Sequence, residues 1–195
     1  MEEITQHSIE RASEDAVKLW ALSSSQYPLR NRLIQEHINI TVIDVISSFA
    51  LNARRAMEIL PPKVKYPLNA ARWKWEPTIE GEMVTGLWGA LNRIIHAKRL
   101  CVGFEKLPDS ISVIDGGSIV IPYIRAEADR KELAFIDPFS LSHAFLYNAL
   151  PALIKAKNVL HSSRQKMHNK ALVRSQTTLR FVCAAQLERY IFKRQ

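Results

Sequence analysis

Asn92, Arg93 and His96 form the first group of residues whose types and spacing could do chemistry. Asn92 and His96 are four positions apart, so their side chains are neighbours if this segment is helical. A neutral histidine can accept a proton near neutral pH, and an arginine beside it can hold a phosphate and offset growing negative charge. These groups fit cleavage of RNA without a metal ion, with histidine accepting the 2′-hydroxyl proton. The alternative is that His96 simply ends an apolar helical turn.

Arg30, Asn31 and His37 form a second group of the same kind. Arg30 and His37 are seven positions apart, which is nearly two turns and places them on one face of a helix. Asn31 is next to the arginine and could orient either group. The alternative is that these residues are ordinary surface residues of a helix.

The chain lacks the residue patterns of phosphate-binding loops, disulfide frameworks and metal sites. The chain has six glycines, too few and too scattered for a phosphate-binding loop, and its two cysteines make neither a disulfide framework nor a zinc cluster. His161 and His168 are about 10 Å apart on a helix, so they cannot share one metal ion. We therefore expect no metal and no cofactor. No stretch of 18 or more apolar residues occurs, which excludes a membrane-spanning helix.

The positive charge is concentrated at one end of the chain. The net charge is +8, yet residues 155–195 hold ten Lys and Arg against one acidic residue, so the remainder is close to neutral. Such asymmetry favours a polyanionic partner, nucleic acid first, although a solvated helix face is the alternative. The candidate nucleic-acid contacts in this segment are Arg164, Lys166, Lys170, Arg174 and Arg180.

Residues 61–80 predict a loop because four prolines interrupt them. The loop alternates cations with aromatic residues, and such an arrangement can stack bases while it holds phosphates. Arg72 and Lys74 are the candidate contacts, beside Trp73 and Trp75. The favoured interpretation is that the two tryptophans instead pin the loop to the core.

Hydrophobic periodicity predicts helices over 4–24, 29–59 and 81–97. After residue 97 the spacing of apolar residues is no longer helical. Four strands are predicted, at 99–104, 111–114, 118–124 and 132–136. Asp137 and Pro138 are typical of a helix start, and the helical pattern continues to about residue 193. The predicted fold is mainly α: one domain over 1–195, a helical bundle with a small antiparallel β meander inserted at about 99–136. The basic segment 155–195 forms its C-terminal helical part.

The segment Leu91-Asn92-Arg93-Ile94-Ile95-His96-Ala97, at a helix end before a strand, resembles the signature helix of the HEPN superfamily. Arg30-Asn31…His37 also fits that loose pattern. The resemblance implies a small helical bundle, usually a dimer; many members are metal-independent endoribonucleases of toxin–antitoxin and anti-phage defence systems, and others only bind RNA or nucleotides. It implies that Asn92 is the polar residue and His96 the general base. The chain departs from the pattern where active members carry an arginine upstream of the histidine, because it has Gly89-Ala90-Leu91 there.

These observations lead to an expected function. The chain is predicted to be a cytoplasmic, homodimeric HEPN-like protein that binds RNA or another nucleic acid, and the sequence leaves open whether it also cleaves it. The alternative is a non-catalytic helical interaction subunit that binds nucleic-acid backbone or a partner protein. A third class, a small-molecule enzyme that uses the inserted sheet, has only ordinary turn and cap residues available.

Overall fold

The computed structural model describes residues 2–61, 64–129 and 131–159. The chain divides into two compact units, Met1–Leu153 and Ile154–Gln195. In the second unit the described residues, 154–159, are helical. The candidate contacts Arg164, Lys166, Lys170, Arg174 and Arg180 lie outside the described residues.

Two long helices, α1 (Glu2–Ser24) and α2 (Arg32–Met57), pack against each other in the first unit. Small side chains such as Ala12, Ala16 and Ala50 are fully buried, which lets the helices approach closely. The buried carboxylate of Asp15 accepts a hydrogen bond from Ser48 Oγ at 2.6 Å and pairs with Arg11 at 3.6 Å. The predicted start of the second helix at residue 29 is wrong by three residues. The helix begins at Arg32 because the Asn31 side chain caps it.

The predicted antiparallel meander is confirmed by β3 (Arg99–Lys106), β4 (Ser118–Ala128) and β5 (Lys131–Ile136). Two short strands extend it. β1 (Tyr27–Pro28) pairs antiparallel with the start of β4, and β2 (Glu82–Met83) pairs parallel with β5. The sheet is therefore mixed, and the fold is a mixed α/β arrangement rather than a pure helical bundle. Sequence periodicity missed β1 and β2 because two residues are too few to show an alternation.

The strand predicted at 111–114 is wrong. Ile111 is 51% exposed and Val113 is 80% exposed, so no buried face drives a strand there. Gln26 instead holds this segment, since its side chain donates to Ile111 O and accepts from Val113 N, both at 3.0 Å. The following turn needs positive φ at Gly116 and Gly117, at 84° and 97°.

The later helices place the candidate residues. α3 (Leu87–Ile95) is shorter than the predicted 81–97, because residues 82–83 form β2 instead. α4 (Pro138–His143) begins at Pro138 as predicted, and its N-cap is Asp137, whose side chain accepts from Ser140 N at 2.9 Å. One π-helical turn, Ala144–Ala149, follows, and residues 150–153 of the first unit are helical.

Candidate functional site

The structure does not place Arg30 and His37 on one helix. Arg30 lies in the turn before α2, and Asn31 uses its side-chain oxygen to accept from Ile34 N at 3.1 Å. His37 is exposed on the first part of α2. The expected pair is therefore not assembled along a helix face, and Asn31 has a capping role.

Arg93 is occupied by structural contacts. It forms an ion pair with Glu82 of β2, and its guanidinium donates to Glu132 O at 3.4 Å. Its side chain is only 16% exposed. Arg93 therefore ties α3 to two strands and is poorly placed to hold a substrate phosphate beside His96.

Asn92 and His96 are placed differently from each other. Asn92 is half-buried on α3, and its side-chain oxygen accepts a hydrogen bond from Arg54 Nε at 3.1 Å. His96 follows directly after the helix as its C-cap and is exposed. Its backbone N–H donates to Asn92 O at 3.2 Å, so the helical turn between the two residues is closed.

Arg54 is a candidate site residue that sequence reasoning missed. It lies near the end of α2 and contacts α3 twice: its guanidinium carbon lies 3.7 Å from the centroid of the Trp88 ring, and its Nε donates to Asn92. Its Nη1 also donates to Glu58 at 3.1 Å. Because Arg54 is 38 residues before Asn92 in the chain, no local pattern could have indicated this contact. Only the packing of α2 on α3 brings them together.

Trp88, Asn92 and His96 follow one another at intervals of four residues. Side chains at this spacing share one side of a helix, so these three form a ridge about 12 Å long. We call it the Trp88–His96 ridge. Trp88 is 40% exposed and His96 is exposed, while Arg54 crosses the ridge between Trp88 and Asn92. Along the surface of α3 there are thus an aromatic ring, the cation of Arg54, an amide and an imidazole, in that order.

A cavity of ≈ 680 Å³ lies beside the start of this ridge, and we call it the α2–α3 cavity. Arg54 and Trp88 are part of its wall. The other walls come from the end of α2, the loop that follows it and the start of α3: Met57, Glu58, Leu60, Pro61, Val64, Lys65, Tyr66, Pro67, Thr85, Gly86, Leu87 and Gly89.

Tyr66 is the unusual residue of this wall. It is only 8% exposed, and its hydroxyl has no hydrogen-bond partner among the described residues. Burial raises the pKa of the Tyr66 hydroxyl, so it stays protonated and able to donate. A buried hydroxyl without a partner costs about 1–3 kcal/mol relative to a satisfied one.

The N-terminus of α3 also opens on the α2–α3 cavity. Its N-cap, Gly86, has no side chain to accept from the first-turn N–H groups. The Leu87 N–H donates to Tyr66 O at 2.9 Å. The N–H groups of Trp88 and Gly89 have no partner within the helix, because the first turn of any helix lacks one. They add partial positive charge to the cavity wall.

The loop tryptophans pack as the favoured interpretation predicted. Trp73 Nε1 donates to Ser23 O at 2.6 Å, and the Trp75 ring lies 4.4 Å from that of Tyr123. Both tryptophans therefore pin the loop. Arg72 and Lys74 are exposed, and the Arg72 guanidinium lies 5.0 Å from the Trp73 ring.

A second cavity of ≈ 600 Å³ lies beneath this loop, with Lys74, Trp73, Trp75 and Asp137 in its wall. Desolvation raises the pKa of the Asp137 carboxyl, and its hydrogen bonds to Ser140 and Phe139 oppose that rise. Asp137 already caps α4, so its carboxylate has a structural role.

Within the described ranges, no group of three or more His, Cys, Asp or Glu residues could hold a metal ion. In the same part of the chain, no helix has the length and apolar character needed to cross a membrane. Comparisons with protein-family models, with curated proteins and with solved structures find no match for this chain.

Proposed function

We propose that this protein binds single-stranded RNA along the Trp88–His96 ridge. The observation that carries the proposal is the position of Arg54, which contacts both Trp88 and Asn92 on the surface of α3. An aromatic ring beside a fixed guanidinium can stack a base while it holds a phosphate. Because contacts with Trp88, Asn92 and Glu58 fix the guanidinium, little side-chain entropy is lost when RNA binds.

The charge of the chain supports this proposal. Residues 155–195 hold ten cations against one acidic residue, so they attract any polyanion without regard to sequence. In the proposed function this segment raises the affinity, and the ridge supplies the contacts to individual nucleotides. Affinity should then fall steeply with salt, as it does for proteins that neutralise phosphates.

Metal-independent cleavage is the stronger form of the proposal, and it would make the protein an endoribonuclease of the toxin or anti-phage type that the HEPN resemblance implies. His96 would accept the proton of a 2′-hydroxyl, the 2′-oxygen would bond to phosphorus, and the 5′-oxygen would leave with a proton from water. Arg54 would supply the cation that is absent from the positions before His96. Against this form, Asn92 and Arg93 already have protein partners. That observation favours the alternative of a binding protein without catalysis.

The test uses the purified full chain with labelled single-stranded RNA and DNA pools in EDTA, and it follows both retardation and cleavage. Arg54→Ala is compared with Arg55→Ala, since both remove one positive charge from α2 and Arg55 is exposed with no ion pair to a described residue. We expect Arg54→Ala to weaken RNA binding at least several-fold more than Arg55→Ala. Equal losses of affinity would mean that only the net charge of the protein matters. They would refute RNA binding at the Trp88–His96 ridge.

Cleavage is tested with His96→Ala and His37→Ala in the same assay. Cleavage that is lost only in His96→Ala supports the catalytic form. Retardation without cleavage supports the binding protein. Cleavage that needs a divalent metal, or that survives His96→Ala, contradicts catalysis at the ridge.

A further inference from the structure

We infer that the α2–α3 cavity accepts the unstacked base of one nucleotide of the bound RNA. This inference rests on the proposed function and names what the same site recognises. The cavity adjoins the ridge at Trp88, and its wall also contains Arg54, which contacts Trp88 and Asn92 of the ridge. A strand that lies along the ridge can therefore insert one base without leaving it.

The size and walls of the cavity suit a nucleobase. Its volume of ≈ 680 Å³ falls within the range of about 300–1,000 Å³ that small-molecule sites occupy. Apolar side chains such as Met57, Leu60 and Val64 line it. A base has apolar faces and a polar edge, and single-stranded RNA can turn its bases outward.

The charges around the cavity suit a phosphate next to that base. Arg54 and Lys65 contribute two positive charges, and Glu58 contributes one negative charge that is already paired with Arg54 at 3.1 Å. The first-turn N–H groups of α3 add to the positive side. The base would occupy the apolar interior, and its phosphate would stay near Lys65 and the helix N-terminus.

The first test compares two RNA oligonucleotides of equal length and charge, one normal and one with abasic positions along its centre. Stacking of one base contributes about 1–3 kcal/mol, so removal of the bases should weaken binding by about 5- to 150-fold. Equal affinities for the two oligonucleotides would overturn the inference. The phosphate contact at Arg54 in the proposed function would still stand if Arg54→Ala remained more damaging than Arg55→Ala.

The second test fills the cavity. Val64 is 48% exposed, so Val64→Trp can be introduced without disturbing the core, and Val113→Trp is the matched control at a position that is 80% exposed and outside the cavity wall. Val64→Trp should lower affinity for the normal oligonucleotide and leave affinity for the abasic one unchanged. The same loss for both oligonucleotides, or no loss, would contradict base insertion.

A failure of the proposed function is recognised separately. If no RNA is retained by the wild-type chain, the fluorescence of its tryptophans is titrated with adenosine and uridine monophosphates. Binding that Val64→Trp blocks would support a nucleotide site in the cavity without an RNA strand on the ridge. Absence of binding would overturn both proposals.

Discussion

Arg54→Ala should lower the free energy of unfolding by about 1 to 3 kcal/mol, because it removes the side chain that links α2 to α3. The stacking contact with Trp88 at 3.7 Å contributes about 0.5–1 kcal/mol at a partly exposed site. The hydrogen bond to Asn92 at 3.1 Å contributes about 0.5–1.5 kcal/mol. The ion pair with Glu58 adds at most about 0.5 kcal/mol, since Glu58 is 63% exposed.

The assay is urea unfolding followed by circular dichroism, with thermal unfolding as a second measurement. A loss of this size lowers Tm by about 2 to 12 °C in a chain of this length. Arg55→Ala is the control on the same helix and should change stability by less than about 0.5 kcal/mol. This contrast separates the contacts of Arg54 from the loss of a charge on α2.

A double-mutant cycle with Asn92→Ala isolates the hydrogen bond between the two helices. We expect a coupling energy of about 0.5–1.5 kcal/mol between Arg54 and Asn92. A coupling below about 0.3 kcal/mol would mean that the two side chains do not stabilise each other. The claim that Arg54 is fixed on the ridge would then be wrong, and with it the physical basis of the RNA site.

Three other changes test the framework. Gly103→Ala should destabilise the fold by about 1–3 kcal/mol in urea unfolding, because the new Cβ would lie 2.2 Å from the Tyr123 ring; wild-type stability would contradict this close packing. Burial raises the pKa of the Asp137 carboxyl above its ordinary 3.8, so the folded protein binds this proton more tightly than the unfolded chain does. The free energy of unfolding therefore falls as the pH rises from about 3.8 through the raised pKa. Asp137→Asn keeps the helix cap, so its stability relative to wild type should increase over that range and then level off; a constant difference between about pH 3 and pH 7 would refute the assignment. Trp73→Phe removes the 2.6 Å hydrogen bond to Ser23 O. It should lower the free energy of unfolding by about 1 kcal/mol and speed proteolysis within residues 61–80. Unchanged proteolysis would show that this bond does not pin the loop.

Much of the framework could be predicted because it depends on local patterns. The long helices follow from apolar residues at intervals of three and four, and the meander follows from β-rich runs separated by turn residues. The cap at Asp137 was predicted from residue type and confirmed by its contact with Ser140 N. Ile111 and Val113 misled the strand prediction, because apolar residues in a turn can remain exposed when a side chain such as that of Gln26 satisfies the backbone.

The candidate site was less predictable because its contacts are long-range. Asn92 and His96 were identified from their spacing, but the arginine that contacts Asn92 comes from another helix. Arg93, which was adjacent in sequence, points to Glu82 instead. The cavity beside Trp88 depends on the segments around residues 66 and 86 lying together, and neither segment carries a motif.

The two-residue strands also set the order in which the chain can fold during synthesis. α1 and α2 are complete once residue 57 has been made, so their packing can begin early. β1 must wait for residues 118–119, and β2 must wait for residues 134–135. Val84, which leads into α3, is also held by Phe135 O. A nascent chain therefore fixes the entrance of α3 only after β5 has left the ribosome.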